Sequence, residues 1–146
     1  MAISGDHVIV KMDDAGGVLR TFADGDITSV DLGLTADQHD VTGFGDDVHR
    51  MINGQMRAPV TLRGYLTTTA DTGTHPVIQG AFAAGEQVTL RVAVGDNATP
   101  TSGDPEYSGE FLVASYTPTI ATGGAVMFTA TLNPATGTAP TWGTLA

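Results

Sequence analysis

The sequence predicts a mainly β, antiparallel protein with one short helix, on three observations. Apolar and polar residues alternate with a period of two in several segments, the spacing that turns one strand face inward and the other outward. Thr, Val and Gly are plentiful while Lys and Glu, the usual residues of helix surfaces, are scarce. Short clusters of Asp and Gly separate the early apolar runs and read as tight turns.

Residues 6–12 form the first predicted strand, and Asp13-Asp14-Ala15-Gly16-Gly17 supplies a hairpin turn into a second at 17–22. Ala23-Asp24-Gly25-Asp26 turns the chain again into a third, at 26–32, so an antiparallel meander opens the fold. A stretch at about 33–57 holds apolar residues without sustained periodicity and reads as a long loop, a feature often tied to function in a compact domain. In 58–66, Val60, Leu62 and Leu66 oppose Thr61, Arg63 and Tyr65, with Gly64 easing a close approach.

A helix follows. Asp71 or Thr74 can cap it, Pro76 suits its first turn, Val77, Ile78, Ala81 and Phe82 give an apolar stripe, and Gly85 sits where a left-handed terminal residue belongs. Residues 86–94 alternate again, with Val88, Leu90, Val92 and Val94 on one side. A loop at 95–105 leads to a strand at 107–117, and 124–133 alternates Val126, Phe128, Ala130 and Leu132 against Met127, Thr129 and Thr131. The end of the chain is rich in Pro, Thr and Gly, with Trp142 and Leu145 as its only large groups. There is no internal repeat and no linker. The reading is therefore one domain over 1–137 and a flexible tail over 138–146.

Composition narrows the function classes. A chain of 146 residues buries roughly 68–70% of its unfolded surface and needs no staple. It has no cysteine, which rules out disulfides and thiolate metal sites and suits a reducing cytoplasm. The N-terminus lacks the basic and apolar runs of a signal peptide, and no apolar run is long enough to span a bilayer. The net charge is −10 with only six Lys and Arg, a poor basis for gripping phosphate. The charge is also uneven. Ten Asp fall in residues 1–47, whereas Arg50, Arg57, Arg63 and Arg91 face only Asp71 and Glu86 in residues 48–94. Either these arginines meet acids of a neighbouring copy, with Arg57, Arg63 and Arg91 as the candidates, or each answers an acid of its own chain.

Catalytic and metal patterns are weak. Asp37, His39, Asp40, Asp46, Asp47 and His49 gather in the long loop, but without a recognised ligand spacing. Ser4-Gly5-Asp6-His7 places nucleophile, acid and base close in sequence, yet alternate strand residues point to opposite faces. Gly43-Phe44-Gly45-Asp46 lacks the full glycine fingerprint of a nucleotide loop. The reading is a protein that is not an enzyme and carries no cofactor. Phe44, Met51, Ile52 and Met56 in so polar a loop are the more telling feature, because some of them stay exposed unless a partner covers them.

The run Val41-Thr42-Gly43-Phe44-Gly45-Asp46-Asp47, then Arg50, Gly54 and the strand Val60-Thr61-Leu62-Arg63-Gly64-Tyr65, resembles the major tail tube proteins of long-tailed bacteriophages. His75-Pro76 opening a short helix, Pro105-Glu106-Tyr107-Ser108-Gly109 and Val126-Met127-Phe128-Thr129-Ala130-Thr131-Leu132 continue the similarity in the same order. That resemblance implies an antiparallel β-sandwich or barrel-like subunit with one flanking helix. It further implies six-membered rings stacked into a hollow virion tail, through which phage DNA passes without specific binding. The long loop would contact the adjacent ring, with Val41, Thr42, Phe44, Asp46, Asp47, Arg50, Met51 and Met56 as the candidate residues. The implied partners are copies of the same chain and the tape measure, terminator and tip proteins of a tail, with no membrane. The protein would be made in the host bacterial cytoplasm. Two alternatives stand beside this: another virion or secretion-tube structural protein, and a carbohydrate-binding β-sandwich module using Trp142 and the three Tyr.

Overall fold

The computed structural model describes residues 8–23, 25–95, 100–136 and 139–145. The Ser4-Gly5-Asp6-His7 run, Asp24 of the second turn, residues 96–99 of the 95–105 loop and parts of the C-terminal segment lie outside them.

Among the described residues, ten strands and one short helical segment make an antiparallel β-sandwich with barrel-like curvature. The strands are β1 (Val8–Asp13), β2 (Leu19–Thr21), β3 (Ile27–Leu32), β4 (Thr35–Asp40), β5 (Met51–Arg57), β6 (Val60–Tyr65), β7 (Val88–Val94), β8 (Pro105–Thr119), β9 (Met127–Pro134) and β10 (Thr141–Thr144). Eight of them form one sheet in the order β2-β1-β7-β8-β9-β6-β3, with β10 on β8, while β4 and β5 pair only with each other. β8 spans both halves of the sheet. It pairs with β7 from Glu106 to Phe111 and with β9 from Phe111 to Thr119, and its register shifts between Val113 and Ser115. A bulge at such a place bends a strand and lets the sheet fold over on itself.

The fold-over explains the core. Val10, Met12, Val88, Leu90 and Val92 from one half meet Val60, Leu62, Phe128, Ala130 and Leu132 from the other, and all are buried. These are the inward positions of the alternating segments. Each fully buried Val, Leu or Phe side chain contributes about 1.5–3 kcal/mol. Gly64 is required where β6 meets β3, because a Cβ there would run into the Asp26 carbonyl oxygen, the acceptor of the Tyr65 amide.

The helical segment begins as a π turn over His75–Gln79 and continues as α1 (Gly80–Ala84), which packs against β8. Pro76 fits this first turn, where an amide hydrogen would have no acceptor within the helix. Gly85 ends it in the left-handed conformation, φ 66°, as the sequence predicts. Two details differ from expectation. Thr74 makes no side-chain cap: its hydroxyl donates to the Tyr65 carbonyl at 2.8 Å and accepts the Thr67 amide at 2.9 Å, tying the segment to the end of β6. Phe82 is half exposed, so the buried stripe is Val77, Ile78 and Ala81.

Two larger differences concern 33–57 and the C-terminus. The long loop is a hairpin, β4–β5, and the C-terminal segment supplies β10, whose Trp142 pairs with Tyr107 of β8. Backbone pairing and an aromatic contact hold residues 141–144 where a flexible tail was expected. No helix among the described residues is long and apolar enough to cross a membrane.

Candidate functional site

The hairpin stands apart from the core. Every residue from His39 to Arg57 is exposed, including Phe44, Val48, Met51, Ile52 and Met56. Its pairs run from Thr35 with Arg57 to Asp40 with Met51, with a register shift between Ala36 and Gln38. Apolar and polar groups share both faces, since Met51 lies opposite Asp40 and Ile52 opposite His39.

The tip is held by its own side chains. The Asp40 carboxylate accepts hydrogen bonds from the Thr42 amide, at 2.9 Å, and from the Thr42 hydroxyl, and it lies 3.2 Å from His49 Nδ1. Those bonds, led by the Thr42 hydroxyl, hold the Asp40 carboxyl below its ordinary range near 3.8. Thr42 Oγ1 in turn accepts the Arg50 amide at 2.9 Å. Across the turn, Asp46 Oδ2 accepts the Gly43 amide at 2.8 Å and pairs with Arg50 Nε at 3.0 Å. The Asp46 amide reaches the Gly43 carbonyl at 3.3 Å and Gly45 has φ 91°, the pattern of a type II turn with Phe44 at its second position. Phe44 therefore sits at the apex of a braced turn, fully exposed at 112% of its reference area.

The geometry sorts the sequence-predicted residues. Val41, Thr42, Phe44, Asp46, Asp47 and Arg50 come together at the tip, while Met51 and Met56 lie along β5. Among the described residues, no three His, Asp or Glu side chains converge as metal ligands, because Asp37 pairs with Arg57, Asp46 with Arg50 and Asp40 with His49. Arg57 and Arg91 find acids of their own chain, Asp37 at 3.5 Å and Glu106 at 3.7 Å. Arg63 does not. Among the described residues no acid lies within ion-pair distance of it, and its register neighbours Ser29 and Thr129 carry hydroxyls. Val48, 74% exposed, belongs with the tip and was missed by sequence reasoning, since a lone Val between Asp47 and His49 has no periodic neighbour.

No family model and no curated protein matches the chain. Solved structures do match it along nearly its whole length. A chain from the tail of an empty gene transfer agent particle, refined with C6 symmetry, is similar at TM-score 0.74 and 19% identity, over 99% of this chain and 100% of that one. The SPP1 tail tube gives TM-score 0.75 and 12% identity, over 99% and 80%. A chain of the sheath-tube complex of PVC, an extracellular contractile injection system, gives TM-score 0.65 and 14% identity, over 99% and 93%. This chain has the fold found in those tail and injection-tube assemblies.

Proposed function

We propose that this chain is a structural subunit, not an enzyme, that polymerises with copies of itself into stacked rings forming a tail tube, a conduit for genome delivery. The hairpin makes the contact between rings. The observation that carries this reading is the braced β4–β5 arm with its uncovered Phe44, Val48, Met51, Ile52 and Met56. A lone two-stranded hairpin is at best marginally stable in water, and three or more strands or a packed face are needed to hold one. Covering Phe44 alone would add about 1.5–3 kcal/mol per contact, and a ring repeats that contact at every subunit.

Lateral closure has its own materials. Among the described residues β3 pairs with β6 along one side only, which leaves its other edge open to a neighbouring copy. Arg63, on the outer face of β6 beside β3, is placed to meet an acid of that neighbour. The net charge of −10 suits a channel that lets duplex phosphate slide without sticking. On this reading the protein resides in a virion tail after synthesis in the host bacterial cytoplasm. It meets terminator, tape measure and tip proteins as well as its own copies. A second reading, the tube of a contractile injection system, draws support from the similarity to the PVC complex.

Negative-stain microscopy of the purified chain, with light scattering across a concentration series, tests the proposal. Rings or tubes are the expected result, and a monomer at every concentration would overturn it. Nucleic acid inside purified native particles distinguishes the genome conduit from the injection tube.

A further inference from the structure

The sheet path begins at β2-β1-β7 and ends at β3, and among the described residues no strand pairing joins those two ends. A cleft of about 770 Å3 opens between them, within the size range of ligand pockets. Val8, Val92 and Val94 line one side of this seam and Ile27, Val30 and Leu32 the other, with exposed Thr28 also in the lining. Among the described residues, no charged side chain lines it.

The same chain carries a group suited to that seam. Phe44 and Val48 project from a turn whose shape is fixed before any contact, so little ordering is left to be done on docking. Most tip charges are already matched, Asp40 with Thr42 and His49 and Asp46 with Gly43 and Arg50, while Asp47, exposed and without an ion pair among the described residues, has to stay at the solvent rim of the contact. Phe44 is fully exposed, so it does not occupy the seam of its own chain.

We propose that the hairpin tip of one copy seats in the β1–β7/β3 seam of the next, with Phe44 as knob and the Val/Ile/Leu walls as socket. The inference rests on the tube-subunit reading and names the surface that receives the hairpin. The contact is head-to-tail, joining different surfaces, so it propagates in one direction. β3 gives the propagation a physical link. It lines the socket up to Leu32, and β4 of the outgoing hairpin begins at Thr35. A knob received by one copy therefore packs against the strand that feeds that copy's own knob.

The chain has no cysteine, so Thr28→Cys offers one attachment point for a maleimide-linked photo-crosslinker in the socket. Isotope-labelled and unlabelled copies are mixed, irradiated and mapped by mass spectrometry, with parallel samples viewed by negative stain. The expected adducts join position 28 of one copy to residues 41–50 of another. Adding Phe44→Ala should lower their yield by at least about tenfold, the loss for an apolar contact of this size. Tubes whose adducts fall elsewhere, on residues 1–7 included, or whose yield ignores Phe44→Ala, would overturn the socket and leave the tube reading standing. Neither tubes nor intermolecular adducts would overturn both.

Discussion

Trp142 stands edge-on to Tyr107, with ring centroids 5.2 Å apart and planes at 61°. Their backbones are also register partners, Trp142 of β10 opposite Tyr107 of β8. Tyr107 is fully buried, its hydroxyl has no hydrogen-bond partner among the described residues, and burial pushes its phenol pKa up. The last strand is thus part of the wall around a core aromatic. Trp142→Ala removes the edge contact and half of a large ring's burial, a loss of about 2 kcal/mol. In a domain of this size the melting temperature should fall by roughly 5 °C. A melting curve unchanged from wild type would mean that β10 adds nothing to the fold.

Thr74 is the buried polar residue of the core region, and its hydroxyl serves Tyr65 and Thr67 at once. The Thr67 hydroxyl answers by accepting the Thr74 amide at 2.9 Å, so the two threonines clasp each other. Thr74→Val keeps the shape and takes this partner from the part-buried Tyr65 carbonyl and Thr67 amide. The expected loss is about 1–2 kcal/mol by chemical denaturation. Thr74→Ser, which keeps the hydroxyl, should recover most of it.

Acid stability should depend on Asp14. Its carboxylate accepts amides from Val18 at 3.0 Å and Gly16 at 2.9 Å and pairs with Arg20 at 2.9 Å. The Val18 bond first, then the Arg20 bond, hold its pKa below 3.8. A depressed carboxyl stabilises the folded state fully above the unfolded value and loses that contribution as pH falls through the folded value. Asp14→Asn should therefore be less stable than wild type at pH 7, with the difference shrinking below pH 4 as wild type surrenders its advantage. Parallel denaturation curves at pH 7, 4 and 2 read this directly. A gap that stayed constant down to pH 2 would exclude the charge as its source.

The strands most legible in the sequence were β6, β7 and β9, because each has one face in the core and one in solvent, which imprints a period of two. Val60, Leu62, Val88, Leu90, Phe128 and Ala130 all fall where that period places them. β4 and β5 were illegible for the complementary reason. Both faces of the hairpin meet solvent, so no burial constraint sorts Met51 and Ile52 from Asp40 and His39, and the register shift at Ala36 and Gln38 breaks what pattern remains. β10 was missed because a short, exposed Thr-Trp-Gly-Thr edge carries no periodicity. The exposed apolar groups of the hairpin were legible, since Phe44, Met51, Ile52 and Met56 stand in a polar stretch of sequence. Its shape was not, since the bracing by Thr42 and Asp46 depends on turn geometry that spacing alone does not give.

Removing the arm separates folding from assembly. None of its apolar side chains belongs to the core cluster, and its strands pair only with each other. Replacing residues 36–56 with a short Gly-Ser linker should leave the melting temperature within a few degrees of wild type, since closing a shorter loop changes entropy by well under a kcal/mol. Particles larger than a monomer or single ring should disappear from the micrographs. Tubes built by the shortened chain would remove the hairpin from the assembly contact.

Arg63 gives a sharper test of the lateral contact. Among the three arginines proposed for contact between copies, it alone lacks an acid of its own chain within reach among the described residues. Its stem lies on a face of β3, β6 and β9 shared with Ser29, Thr61, Tyr65, Met127, Thr129 and Thr131, with Asp31 two register pairs along. An exposed, unpaired arginine contributes little to its own fold, so Arg63→Glu should shift monomer stability by no more than about 0.5 kcal/mol. Between copies the same change turns an attraction into a repulsion at every lateral contact, and like charges facing each other across an interface cost several kcal/mol. Rings should therefore be lost in the variant while its melting curve stays in place. Arg91→Gln, whose parent pairs with Glu106, serves as the control that still assembles. Rings formed by Arg63→Glu at wild-type concentrations would move this face out of the interface and leave β3's free edge to close the ring by backbone pairing alone.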